Sequence, residues 1–396
     1  MPERLEDRGS RVAGTIPAVG GREPRMDGLH PLNRREKKPQ MIQVRFVGAD
    51  GQFQSIETQA VRIHANLERA SGARVRSDLK LVSQDHFRRR GLLRRAPVQE
   101  MEALLEGTQV LVVIKSSLFR DFLRSAPRLK ALCEERGVVL VSNPCDGPGA
   151  DSGDTADVFT EEIADYAFAV SRMQAEAISR RRRAEEVLLV AHASRLETGN
   201  CVEYRDKVRQ VIWENAIHHN PHYDARKVGM PRERYQELED MLKSILRERG
   251  VELVFIEAWR ETQTYAEWER MLLESDIAIE CKALGSQYVD YQSQKPAVKV
   301  LNYMSLGLPV VCDSLPAYRE LGKDGQHLLF ANTQEEWRAQ ILRLLDDKDL
   351  RRRLGEAARQ VTGPFSIDNI CRRYADFFES MVQRKLAGRR TAPARA

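Results

Sequence analysis

The stretch AVKVLNYMSLGLPVVC, residues 297–312, contains the strongest fold signal in the sequence. An amphipathic segment ends at Gly307, and the apolar run LPVVC follows it directly. Glycine takes the left-handed backbone conformation that often ends a helix, because it has no Cβ. A wholly apolar strand is typical of a parallel sheet that helices cover on both faces. The stretch therefore predicts a helix followed by a buried parallel strand.

The same order of apolar runs and amphipathic segments continues in both directions along the chain. Repeated strand–helix alternation predicts parallel sheets covered by helices. A polar break at 194–207 divides the apolar runs into two series, so we predict an α/β protein with two Rossmann-like, doubly wound domains facing a cleft. The apolar runs lie at 42–47, 108–114, 137–142, 165–171 and 186–191 in the first series, and at 209–214, 251–256, 276–280, 308–312 and 327–330 in the second.

The predicted division of the chain follows from these patterns and from the composition of its ends. Both ends are rich in arginine and lack an apolar period, which is typical of disordered segments. The predicted parts are a disordered basic arm at 1–40, a first domain at 41–200, a second domain at 201–365, a closing helix at 366–386 and a disordered tail at 387–396.

Charge and cysteine usage exclude several classes of protein. Residues 1–40 carry a net charge of +3 and residues 383–396 carry +5, so the body between them carries −3 of the overall +5. A nucleic-acid-binding domain usually carries its basic stripe on the folded surface, so we expect no nucleic-acid partner. The six cysteines lack the close pairs of zinc sites. The sequence has no apolar run long enough to span a membrane, and its first residues lack the apolar block of a secretory signal. We therefore expect no secretory signal and a cytoplasmic protein.

Several short motifs occur in a recognisable order between Ser275 and Phe378. They are Ser275-Asp276, Gly307 to Val311, Glu320, Asp324-Gly325 and Arg351 to Gly355. In this order they resemble the C-terminal half of GT-B glycosyltransferases, particularly the family-4 group. The resemblance implies a retaining sugar transfer from a nucleotide-sugar co-substrate, with no bound cofactor and no obligatory metal. It also implies that the closing helix crosses back to the first domain, and that the acceptor is a glycan, a lipid-linked molecule or a small molecule.

The segment beginning at Pro296 is the predicted diphosphate site. Proline is common in the first turn of a helix, where the free N–H groups and the positive dipole end attract an anion. Lys295 and Lys299 lie at this end and add positive charge. The alternative is a helix that packs only its apolar face and leaves both lysines in solvent.

The sequence departs from the family pattern at two positions. Gln294 and Asn302 stand where the family has two glutamates, of which the first contacts the donor sugar and the second the nucleotide ribose. An amide can bond a hydroxyl group but supplies no negative charge to a developing cation. Gln294 is therefore a predicted catalytic residue and Asn302 a predicted donor-binding residue. Two alternatives to a transferase remain, a binding or scaffold protein of weak activity and an enzyme that modifies nucleotide-sugars.

Other candidate residues follow the ends of the predicted strands. His192 is a predicted catalytic residue, because a histidine there can act as a base or bond a phosphate, although it fits a buried hinge equally well. The remaining predicted donor-binding residues are Glu214, Asn215, Trp259, Glu280, Ser314 and Glu320, together with Arg226 and Lys227, which the resemblance implies. The predicted acceptor-side residues are Asp50, Gln52 and Lys115.

Two polar clusters carry weaker signals. The segment HHNPH at 218–222 has poor spacing for a metal site, so no metal is predicted there. The run Arg180 to Arg183 is typical of a solvated helix end. Together with the arginines at 88–95, it leaves peripheral contact with an anionic membrane face as an alternative.

Overall fold

A computed structural model describes most of the chain beyond residue 40. The described residues are 41–49, 56–82, 98–115, 125–145, 159–195, 198–214, 231–256, 264–282 and 296–391. Within them, no helix is long and apolar enough to cross a membrane. The predicted basic arm at 1–40 lies outside the described residues.

The first domain is built on a six-stranded parallel sheet. Its strand order is β2-β1-β3-β4-β5-β6. After β1 the chain adds β2 on one side, and it then adds β3 to β6 on the other side. The topological switch point therefore lies between β1 and β3. The strands are β1 (Ile42–Ala49), β2 (Val75–Val82), β3 (Val110–Ile114), β4 (Val139–Asn143), β5 (Tyr166–Ala169) and β6 (Val187–Leu189). The helices are α1 (Arg62–Ala70), α2 (Val98–Leu105), α3 (Ala126–Arg136) and α4 (Arg172–Ser179).

The second domain repeats this arrangement with five parallel strands in the order β11-β10-β9-β7-β8. Its switch point lies between β7 and β9. The strands are β7 (Gln210–Glu214), β8 (Glu252–Ile256), β9 (Ile277–Glu280), β10 (Val310–Cys312) and β11 (Leu329–Phe330). The helices are α5 (Arg232–Glu248), α6 (Tyr265–Glu274), α7 (Val298–Ser305), α8 (Pro316–Leu321), α9 (Gln334–Asp346) and α10 (Lys348–Val361).

The closing helix α11 (Ile367–Thr391) returns to the first domain. It packs on α1, β1 and β4, and its Tyr374 ring lies edge-on to Phe168 with the ring centroids 5.1 Å apart. These contacts and the two parallel sheets confirm the predicted fold class. The predicted start of the tail at residue 387 is wrong, because α11 continues to Thr391.

Among the described strands, only β2 has no counterpart in the predicted apolar runs. Strand β2 lies at the edge of the first sheet, and its Arg76, Asp78 and Lys80 are exposed. Charged side chains are typical of edge strands, and here they hide the apolar period that marks the buried strands. Helix α8 is a six-residue helix that begins at Pro316.

The helix-ending glycine predicted from the sequence has the expected conformation. Gly307 has a φ of +73°, and α7 ends just before it. Gly307 also contacts α10 closely: its carbonyl oxygen accepts a 2.9 Å hydrogen bond from the Tyr204 hydroxyl, and both groups lie against Gly355. A Cβ on Gly355 would overlap both the Gly307 carbonyl oxygen and the Tyr204 side chain. The absence of a side chain at 355 therefore lets α10 approach the turn between α7 and β10.

We expect Gly355→Ala to lower the free energy of unfolding by about 1–3 kcal/mol, because overpacking at a close helix contact forces the backbone apart. Chemical denaturation measures this change. Gly363→Ala is the control, since a Cβ there meets no atom within 4 Å. Equal effects of the two substitutions would contradict the proposed close contact.

Candidate functional site

Two acidic residues end neighbouring strands at the switch point of the second sheet. Glu214 is the last residue of β7 and Glu280 the last of β9, and each is only 2% exposed. Both follow apolar residues that form the buried part of a strand. Ligands of open α/β sheets bind outside the carboxyl ends of the strands at such a point. The two predicted donor-binding residues therefore lie where a ligand is expected.

Two lysines compensate these buried carboxylates. The Lys299 Nζ donates to the Glu214 backbone carbonyl at 3.2 Å and lies 3.8 Å from Glu280 Oε2. The Lys282 Nζ lies 3.2 Å from Glu280 Oε1. Lys299 is thus paired and only 12% of its side chain is exposed, so the alternative of a solvated lysine at this position is wrong. We call Glu214, Glu280, Lys282 and Lys299 the charged cluster.

Two tyrosine hydroxyls add hydrogen bonds to the charged cluster. Tyr303 donates to Glu214 Oε2 at 3.1 Å, and Tyr318 donates to Glu280 Oε1 at 3.4 Å. Burial raises the pKa of Glu214, with the Lys299 charge opposing the rise. Burial lowers the pKa of Lys299, and the Glu280 and Glu214 charges oppose that shift. The cluster therefore holds its charges by mutual pairing in a poorly solvated place.

Helix α7 brings Lys299 to the cluster and presents its N-terminus at the same sheet edge. The helix begins at Val298, so the predicted start at Pro296 is wrong by two residues. Ala297 is the N-cap residue, and no side chain bonds to the N-terminus as a cap. Alanine is a poor N-cap residue because it cannot accept a hydrogen bond from the first turn. The positive end of α7 is therefore left without a side-chain cap beside the cluster.

Asn302 lies one turn further along α7. Its side chain is fully buried, and neither the amide oxygen nor the amide nitrogen has a hydrogen-bond partner among the described residues. A buried amide without hydrogen bonds destabilises the folded protein by about 1 kcal/mol to several kcal/mol. Unpaired buried polar groups are rare in native proteins and often mark functional sites.

The end of β10 adds polar residues next to the cluster. Asp313 is buried and accepts a hydrogen bond from the Lys282 backbone N–H. Ser314 donates from its backbone and its hydroxyl to the Asn332 Oδ1, at 3.1 Å and 2.7 Å. Ser314 also lines an open pocket of about 550 Å³ at the β10–β11 edge, with Arg319 and Lys323 on its wall. The sequence predictions missed Asp313, although it carries the same signal as Glu214 and Glu280, an acid directly after a buried strand.

Glu320 lies apart from the charged cluster, against the first domain. It is on α8, which packs on α4. Burial raises the pKa of the Glu320 carboxyl, while the Arg172 charge and the Arg172 backbone N–H oppose the rise. Its neighbours on α4 are therefore Arg172 and Glu176, and the predicted donor-binding role has no support from this placement.

The other predicted residues are spread over both domains or lie outside the described residues. His192 is buried between β6 and the segment that leads to the second domain. Lys115 follows β3 with a φ of +52°, and its N–H donates to the Asn143 carbonyl at 2.7 Å. The predicted residues outside the described ranges are Asp50, Gln52, Asn215, Arg226, Lys227, Trp259, Gln294 and Lys295. In the described ranges, no group of three potential metal ligands occurs.

The comparisons with known proteins concern the second domain and the fold. Residues 212–370 match a family model described as glycosyl transferase-like. The fold resembles Anabaena HepE in complex with UDP and glucose, with 12% identity, a TM-score of 0.56, and coverage of 86% of this chain and 100% of HepE. It also resembles sucrose-phosphate synthase from Thermosynechococcus elongatus, with 11% identity, a TM-score of 0.57, and coverage of 87% and 100%.

A third similar structure is the lipopolysaccharide outer core galactosyltransferase WaaB in its apo form. The identity is 14% and the TM-score 0.51, over 85% of this chain and 100% of WaaB. No curated protein sequence matches the chain. The second domain is therefore similar to the glycosyl transferase-like family, and the chain shares the fold of these solved structures. The resemblance drawn from the sequence motifs is thereby confirmed.

We expect Lys299→Met to lower the free energy of unfolding by about 3–5 kcal/mol, because it leaves the buried Glu214 without its cation and Glu280 with Lys282 alone. Lys348→Met is the matched control. Lys348 pairs with Asp206 on the surface, where the Asp206 side chain is 89% exposed, so its loss should change stability by less than about 1 kcal/mol. Chemical denaturation compares the two, and a small effect at 299 would show that the cluster is open to water.

The raised pKa of Glu214 predicts a pH-dependent effect of Glu214→Gln. In the wild-type protein, ionisation of this carboxyl destabilises the fold as the pH rises through the raised pKa. The amide cannot ionise but still accepts a hydrogen bond from Tyr303. The free energy of unfolding of the variant, relative to that of the wild type, should therefore be higher at about pH 8 than at about pH 4. Denaturation at both pH values measures the gain, and a constant difference would contradict the assigned pKa direction.

Proposed function

We propose that the chain transfers a sugar from a nucleotide-sugar donor to an acceptor, with retention of the anomeric configuration. The observation that carries this proposal is the position of Lys299 at the switch point, between two buried carboxylates and beside the uncapped N-terminus of α7. This arrangement combines a fixed cation with a helix dipole, which suits the diphosphate of a leaving nucleotide. HepE, which shares the fold, is known in complexes with UDP and with UDP-glucose.

Lys299 supplies positive charge to the departing diphosphate. Its nearest carboxylate oxygen, Glu280 Oε2, lies at 3.8 Å and makes no hydrogen bond within the described residues. A diphosphate oxygen at hydrogen-bonding distance would attract this ammonium more strongly than a carboxylate at 3.8 Å. Glu280 would still keep Lys282 as its partner. The cluster can therefore share Lys299 with a donor without leaving Glu280 unpaired.

Asn302 supplies hydrogen bonds to the donor. Its oxygen can accept from a ribose hydroxyl and its nitrogen can donate to one. Both atoms lack a partner in the described residues, so a donor would satisfy groups that the folded protein leaves unpaired. The amide replaces the carboxylate of related enzymes with a neutral group, and the negative charge near the donor then comes from Glu214 and Glu280.

We expect Asn302→Leu to separate stability from binding. Leucine has nearly the shape of asparagine and removes two unsatisfied polar atoms, so the free energy of unfolding should rise by ~1 kcal/mol or more. Binding of UDP and UDP-glucose, measured by calorimetry, should weaken at least about tenfold, since one good hydrogen bond is worth about 1.4 kcal/mol.

Asn332→Leu is the control, because the Asn332 Oδ1 accepts two hydrogen bonds from Ser314. That change should destabilise the protein. The function itself is tested by a thermal-shift screen of nucleotide-sugars, followed by measurement of donor consumption and of product configuration. A protein that binds no donor, or that keeps full affinity after Asn302→Leu, would contradict the proposed function or the role of Asn302, respectively.

A further inference from the structure

The segment between β6 and the second domain is buried and bonded to both domains. Ala193 and Ser194 are fully buried, and Arg195 is nearly so. The Ser194 N–H donates to the Phe365 carbonyl at 2.6 Å. Phe365 belongs to the short turn before α11, where the chain returns to the first domain. The two crossings between the domains therefore lie side by side and are bonded to each other.

Arg62 fixes this segment to the first domain. It is the first residue of α1, and it is only 7% exposed. Its guanidinium donates to the carbonyls of Ala193 and Ser194, at 3.3 Å and 2.6 Å. Arginine can bridge two consecutive carbonyls because its donors form a rigid planar fork. Removing a cation from water is unfavourable, so the buried Arg62 guanidinium needs these hydrogen bonds to offset the loss of hydration.

The next residue is fixed to the second domain. The Arg195 N–H donates to the Ser305 hydroxyl at 3.1 Å, and its guanidinium pairs with the buried Glu269 of α6. Ser305 is the last residue of α7 and donates to the Asn302 carbonyl at 2.8 Å. The change from first-domain to second-domain contacts thus occurs at the Ser194–Arg195 peptide. Through Ser305, this peptide is hydrogen-bonded to α7, the helix that carries Lys299 and Asn302.

We propose that Arg62 is a positioning residue for sugar transfer: by fixing the Ala193 and Ser194 carbonyls to α1, it sets how the first domain is placed against α7. This role rests on the proposed function, because it matters only if the donor on the second domain must meet an acceptor on the first. Arg62 lies outside the charged cluster, so the donor site is complete without it. Its loss misplaces one reacting partner without altering donor binding.

The test compares Arg62→Ala and Arg62→Lys with Arg69→Ala. Arg69 lies on the same helix and pairs with Asp368 of α11 on the surface, so its loss leaves the Ser194–Arg195 peptide in place. Arg62→Ala should speed hydrogen exchange at the Ser194 and Arg195 amides and lower kcat by about 10-fold to 100-fold, the range expected when reacting groups are misplaced. The Kd for UDP-glucose should stay within about twofold of the wild-type value. Lysine reaches one carbonyl with its single donor group, so Arg62→Lys should restore part of kcat.

An unchanged exchange rate at Ser194 and Arg195, or an unchanged kcat, would overturn the proposal. A matched loss of donor affinity and kcat would also overturn it, because Arg62 would then support the donor site. If Arg62→Ala does not fold, the partial effect of Arg62→Lys on kcat, with unchanged Kd, decides the matter. Failure of the proposed function would be seen earlier, in an unaltered chain that consumes no nucleotide-sugar.

Discussion

Lys299 needs its carboxylate partners, and much of the second domain is arranged around this requirement. The carboxylates come from the ends of β7 and β9, which are neighbours because the chain adds β8 on one side of β7 and β9 on the other. The lysine comes from α7, whose opposite residues, including Val300 and Met304, pack in the apolar core. Sheet order, helix docking and charge pairing therefore have to form together. An error in any of them would leave an uncompensated buried charge, which is far more unfavourable than a lost surface pair.

The presence of the charged cluster does not show that it stabilises the fold, since apolar residues of similar size often stabilise a core as well or better. Its position is more informative. It lies at the switch point, next to an uncapped helix N-terminus and an amide with no partner, and each of these features is unfavourable in the unliganded protein. Their concentration at one edge of one sheet is the physical basis of the proposed donor site.

The first domain depends on the end of the chain. Helix α11 contributes Tyr374 and Phe378 to the core of the first sheet, where they contact Phe46 and Phe168. The core of the first domain is therefore completed only after the second domain has been synthesised. The two crossings that this topology requires are hydrogen-bonded to each other at Ser194 and Phe365. Arg62 bonds the first crossing to the first domain, and Arg195 bonds it to the second.

Local periodicity in the sequence determined the order of strands and helices, the left-handed turn at Gly307 and the positions of Glu214 and Glu280 at strand ends. These features depend on neighbouring residues, so they can be predicted without knowing the tertiary structure. The edge strand β2 escaped prediction because its exposed charges remove the apolar period. Only the tertiary structure decided that Lys299 pairs with Glu280, that Glu320 lies near Arg172 of α4, and that Arg62 bonds to Ala193, which is 131 residues away in the sequence. Each of these contacts joins residues that are distant in sequence, and no local pattern of apolar and polar residues specifies which distant partner the fold will place beside a charge.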